Sequence, residues 1–110
     1  MFRSQLPSVD AGAVPADAIL LDVREDEEWA AGHAEGALHI PMSEIVARVD
    51  EVPDGGTVHV VCRVGGRSAQ VTQFLLSQGR DAVNVSGGML DWAAAGRQVV
   101  MGDGAPGHVL

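Results

Sequence analysis

Short apolar runs separated by glycines, prolines and acidic clusters set the rhythm of this chain. Val58, Val60 and Val61 form a β-branched run broken only by His59, the pattern of a strand buried on both faces. Residues 18–23 are a second compact apolar run, ending in Asp22 and Val23, and also read as a buried strand. Shorter runs at 37–40 and 81–85 are predicted as strands, with a brief one at Ser8 and Val9. Between them the pattern turns helical. A short acidic helix is predicted over 26–31, stopped by Gly32. A second spans 44–49, with Ser43 as N-cap and Ile45, Val46 and Val49 on one apolar face. A third opens at Arg67 and Ser68 and runs to about Gln78, where Gly79 ends it, and a fourth covers 89–95 up to Gly96. Residues 53–56, Pro-Asp-Gly-Gly, form a strong turn before the valine strand.

Strands alternating with helices predict an α/β domain with a mainly parallel central sheet flanked by helices. Ligands of such sheets sit at the carboxyl ends of the strands. The expected organisation is one domain: a short N-terminal segment (1–17), a body (18–96) and an irregular tail (97–110) rich in glycine.

Composition narrows the function. The 110 residues carry 15 acidic against 7 basic side chains, a formal charge of −8, which argues against a nucleic-acid partner. A single cysteine cannot form an internal disulfide, so the fold does not depend on an oxidising compartment. No segment approaches the roughly eighteen apolar residues of a membrane span, and no signal-peptide pattern opens the chain. A soluble, cytoplasmic protein is expected, without a membrane partner. His33, His39, His59 and His108 lack metal-ligand spacing with each other or with Cys62, and are read as structural. Neither a metal nor a cofactor is expected.

The candidate chemistry lies in the loop from Cys62 to Gly66, between the valine strand and the third helix. Glycine-rich backbone there can turn its N–H groups inward, and the helix start adds unpaired donors and a positive dipole end. Such a cradle lowers a thiol pKa, and the thiolate is the reactive form. Arg63 is expected to face the mouth and meet an anionic substrate, and Arg67 to brace the loop against a carboxylate or touch substrate. Gly65 and Gly66 are expected to serve backbone geometry, by positive φ or close approach. Ser68 can cap the helix or donate to the thiolate, the cap being preferred. Asp22 and Arg24 are read as a local ion pair fixing a turn, and Trp92 as packing the last helix onto the sheet.

The segment Cys62-Arg63-Val64-Gly65-Gly66-Arg67-Ser68 resembles the active-site loop of the rhodanese family of sulfurtransferases, cysteine-arginine-x-glycine-x-arginine-serine. Three further segments resemble ordered motifs of that family: Leu21-Asp22-Val23-Arg24-Glu25, the stretch from Gly32 to Pro41, and Gly87-Gly88-Met89-Leu90-Asp91-Trp92. The resemblance implies a single-domain, three-layer rhodanese-like fold. It also implies a Cys62 persulfide that takes sulfur from a small anionic donor such as thiosulfate and delivers it to cyanide, a thiol or a sulfur-accepting protein. Cys62 would be catalytic, and Arg63, Val64, Gly65, Gly66, Arg67 and Ser68 would bind the substrate. Phosphatases and arsenate reductases of related architecture place five residues between cysteine and arginine. Here there are four, a tighter ring better suited to one sulfur atom than to a tetrahedral oxyanion. A sulfur-carrier or regulatory binding module is the remaining alternative.

Overall fold

The computed structural model describes residues 6–110. Five strands, β1 (Ser8–Asp10), β2 (Ile19–Asp22), β3 (Leu38–His39), β4 (Val58–Val61) and β5 (Ala82–Ser86), form one sheet in the order β1-β5-β4-β2-β3. Every pairing is parallel. Three helices complete the α/β fold: α1 (Asp26–Ala31), α2 (Gly66–Ser77) and α3 (Gly88–Ala94). The predicted strands and these three helices are present with ends shifted by a residue or two.

β4 lies at the centre, and all four of its residues are buried. Strand periodicity sends its side chains alternately to two cores. Val58 and Val60, continued by Cys62, pack with Leu21, Val71 and Leu75 on the α2 side. Val61 packs with Leu20, Val85, Met89 and Trp92 on the α3 side. The sheet is thus the middle of three layers, and the alternation itself delivers Cys62 to the face carrying α2.

The predicted helix over 44–49 is replaced by two 3-10 turns, Met42–Glu44 and Val49–Glu51. Ile45 is buried as its spacing suggested, but Val46 is exposed. Ser43 lies inside the first turn, whose N-cap is Pro41, and no side chain caps it. α1 is no longer than this segment, but it has a capping box that residues 44–49 lack, and so short a helix without a cap does not repay nucleation. Here only Arg48 makes an i→i−4 bond, to the Glu44 carbonyl, while Ile45, Glu51 and Val52 close tighter i→i−3 turns.

Among the described residues, no helix is long and apolar enough to cross a membrane. The tail, residues 97–110, contains no helix or strand but is tied to the body. Val100 bridges His33 on one side and Pro106 on the other.

Candidate active site

Cys62 follows the last residue of β4, at the carboxyl end of the sheet, and is 1% exposed. The chain reverses at Gly65, whose φ of +119° is the left-handed backbone that favours glycine, and enters α2 at Gly66. This reversal aims the Gly65 N–H at the Cys62 Sγ, 3.1 Å away. Gly66 has no positive φ, and a Cβ there would meet open space. The positive φ expected of these glycines is therefore found at Gly65 and not at Gly66.

Ser68 does not cap α2. The N-cap is Gly65, without a side-chain bond, and the buried Ser68 hydroxyl donates to Cys62 Sγ at 3.3 Å. In the first turn after the reversal, the side chain points back into the loop, and among the described residues Cys62 Sγ is its acceptor. Burial is the largest single influence on the thiol and pushes its pKa up. The Ser68 hydroxyl and the N–H groups of Ser68, Gly65 and Val64 more than offset it, so the pKa lies below the ordinary thiol value. Oriented dipoles, rather than the neighbouring arginines, lead the stabilisation. Ser68→Ala is therefore expected to raise the midpoint of the pH profile for Cys62 alkylation. An unchanged midpoint would assign the lowered pKa to the backbone amides alone.

Arg67 turns from the sulfur to α1. Its two terminal nitrogens donate to the two carboxylate oxygens of Glu28 at 2.7 and 2.9 Å, a bidentate clamp between elements 39 residues apart. Glu28 also accepts the Glu25 N–H at 2.9 Å, completing a capping box at the start of α1. The Arg67 hydrogen bonds, aided by that N–H, outweigh burial and hold Glu28 at a pKa of about 2, against 4.5 for a free glutamate. The clamp contributes its full stability above the unfolded value near 4.5 and loses it as pH falls toward 2. Glu28→Gln should flatten the fall of thermal stability between pH 5 and about 2 relative to wild type. Parallel curves would show that the fold does not hold the Glu28 carboxyl below its unfolded value.

The loop is also held from β5 and α3. The Asn84 amide donates to the Gly65 carbonyl at 3.4 Å. The carbonyls of Cys62 and Arg63 accept the N–H groups of Met89 and Leu90 at 2.8 and 3.1 Å. A Cβ on Gly88 would stand 2.5 Å from both carbonyl oxygens, so only glycine admits this approach. Glu28, Asn84 and Gly88 are the site residues that sequence reasoning did not single out. Gly88 lies within a recognised motif, but its reason, the close approach, exists only in three dimensions.

Arg63 is exposed, and its Nε–H donates to the Leu110 main-chain oxygen at 2.7 Å. Asp22 and Arg24 form the anticipated ion pair, wholly buried, with 2.7 Å between Arg24 Nη2 and Asp22 Oδ2. His33 and His39 each stack on Trp29 of α1, with ring centroids 3.6 and 4.7 Å from the indole. Their ring nitrogens bond the Trp29 and Arg24 carbonyls, a structural role. Trp92 packs α3 onto the sheet and donates to the Gln98 carbonyl. A cavity of about 360 Å³ is lined by Val14, Trp92 and Arg97 among others and by none of residues 62–68. The Cys62 loop is a cradle for a few atoms, with donors converging on sulfur, and needs no such volume.

This architecture and loop define a class, and sequence comparison agrees: residues 9–95 match the rhodanese-like domain family. The chain belongs to that family. It is 38% identical over 89 residues to a protein named sulfurtransferase from Allochromatium vinosum, covering 80% of this chain and 83% of that one. A rhodanese-related protein from Thermoplasma volcanium superposes with a TM-score of 0.82 at 31% identity, over 86% of this chain and 98% of the other. A thiosulfate sulfurtransferase from Pseudomonas aeruginosa gives 0.78 at 29% identity, over 96% of this chain but 22% of that longer protein.

Proposed function

We propose that the protein is a sulfurtransferase that carries sulfane sulfur as a Cys62 persulfide. The observation that carries this reading is the thiol at the end of β4, buried yet held toward its anionic form by the Ser68 hydroxyl and loop amides. Relatives named sulfurtransferase support it.

With thiosulfate as donor, the Cys62 thiolate attacks the outer sulfur. A new S–S bond forms to Cys62, the S–S bond of thiosulfate breaks, and sulfite leaves with the electron pair. The N–H groups of residues 64–68 hold the terminal persulfide sulfur, a cradle in place before the reaction begins. Arg63 meets the donor's anionic end, and Arg67, clamped to Glu28, braces the loop. In the second half-reaction cyanide, a thiolate or a sulfur-bearing partner protein attacks the terminal sulfur. The Cys62 thiolate departs as leaving group and the free enzyme returns, which gives ping-pong kinetics.

Phosphatase or arsenate-reductase chemistry fits less well. Such chemistry needs the loop arginine to hold the oxyanion, and Arg67 gives both terminal nitrogens to Glu28. The test is mass spectrometry of the intact protein after thiosulfate treatment. A gain of one sulfur, about 32 Da, that disappears on adding cyanide is expected. No gain with thiosulfate or with a low-molecular-weight persulfide would overturn the reading.

A further inference from the structure

Residues 97–110 are latched to the body at successive points. Val100 and His33 exchange both backbone hydrogen bonds, at 2.8 and 2.9 Å, and the His108 N–H donates to the Ala31 carbonyl at 3.0 Å. Val99 and Val109 pack against the core on the α3 side. Two glycines let the backbones cross closely. A Cβ on Gly107 would stand 2.8 Å from the Ala31 carbonyl oxygen and from Gly32 Cα, and one on Gly32 would stand 2.5 Å from the His108 carbonyl oxygen. This strap carries Leu110 to the Cys62 loop, where its main-chain oxygen accepts the Arg63 Nε–H at 2.7 Å.

Arg63 is thereby fixed twice. Its own carbonyl is pinned by the Leu90 N–H, and its side chain by Leu110. An exposed arginine otherwise samples many rotamers, and ordering one costs side-chain entropy. The strap bond uses one of five N–H donors. The four on Nη1 and Nη2 have no protein partner among the described residues. We propose that the strap formed by residues 97–110 is a specificity element of the Cys62 site, holding Arg63 so that anionic reagents are admitted ahead of neutral ones. The strap acts through Arg63 and is a positioning element. The inference rests on Arg63 being the anion receptor, as read above.

The test compares alkylation of Cys62 by anionic iodoacetate and by neutral iodoacetamide, a rate ratio that needs no sulfur transfer. Gly107→Ala presses a methyl group against the Ala31 and Gly32 backbone, and His108→Pro replaces the donor to Ala31 with a ring carbon aimed at the same carbonyl, so each variant loosens the strap at a different point. Arg63→Ala and both strap variants should lower the ratio by about twofold to fivefold, the scale of an exposed charge contact. Gly107→Ala should add nothing in the Arg63→Ala background. A fall in Arg63→Ala alone, with both strap variants unchanged, would overturn the role of the strap. So would a rise in the strap variants, because the strap would then be withholding Arg63. An unchanged ratio in Arg63→Ala would overturn the reading of Arg63 itself while leaving the persulfide test untouched.

Discussion

Cys62→Ser is expected to abolish sulfur transfer and the mass gain with thiosulfate while leaving the fold in place. At neutral pH a serine hydroxyl is almost entirely protonated, and no loop dipole can lower its pKa enough to make an alkoxide nucleophile. The donors that favour a thiolate therefore find nothing to activate. The structural cost is small because the buried hydroxyl inherits partners: the Gly65 N–H and Ser68 hydroxyl already converge on that position. A hydroxyl with partners costs about 1 kcal/mol or less relative to the thiol, far below the cost of an orphaned polar group. Steady-state assay and thermal unfolding of the same preparation check both halves. Transfer above a tenth of the wild-type rate would exclude Cys62 as the nucleophile.

The largest effect on stability is expected from Asp22→Ala. Arg24 is wholly buried and donates its Nε–H to both carboxylate oxygens of Asp22, at 3.0 and 3.1 Å, and an Nη2–H to one of them at 2.7 Å. A further Nη2 bond reaches the Gly32 carbonyl at 2.8 Å. Removing the carboxylate strands a charge in the protein interior, which costs about 3–5 kcal/mol. Against a total of about 5–15 kcal/mol for a domain, that is a large share. Denaturant titration should show the midpoint falling steeply at unchanged slope. Asp22→Leu combined with Arg24→Met removes both charges and should recover most of the loss. If the double variant is as unstable as Asp22→Ala, the pair itself rather than the orphaned charge is what the fold requires. Function should follow stability here. The ion pair fixes the turn from β2 into α1, and α1 presents Glu28 to Arg67. The two predictions thus bear on different layers, the reacting atom and the frame that aims the loop around it.

The order of apolar and polar residues was enough to place the five strands and three of the four expected helices, and to single out the Cys62 loop as the candidate site. The valine run fixed β4 because β-branched residues buried on both faces suit little else. Gly79, with φ of +77°, closes α2 where the pattern placed its stop. The order of Cys62, Gly65, Arg67 and Ser68 identified a strand-loop-helix cradle. The local Asp22–Arg24 pair was legible because its partners are two residues apart. Tertiary structure decided what depends on distant partners. The segment 44–49 had a helical pattern, yet no cap to keep it once Ile45 found the core. Ser68 looked like a cap until the reversal at Gly65 brought it against Cys62. For Arg63 and Arg67 the local pattern suggested different roles, mouth and brace, but not the partners that hold them. Glu28, 39 residues away, and Leu110, 47 residues away, give them different orientations. Sequence spacing sets which side chains leave an element on one face, whereas the packing of separate elements sets what those side chains meet.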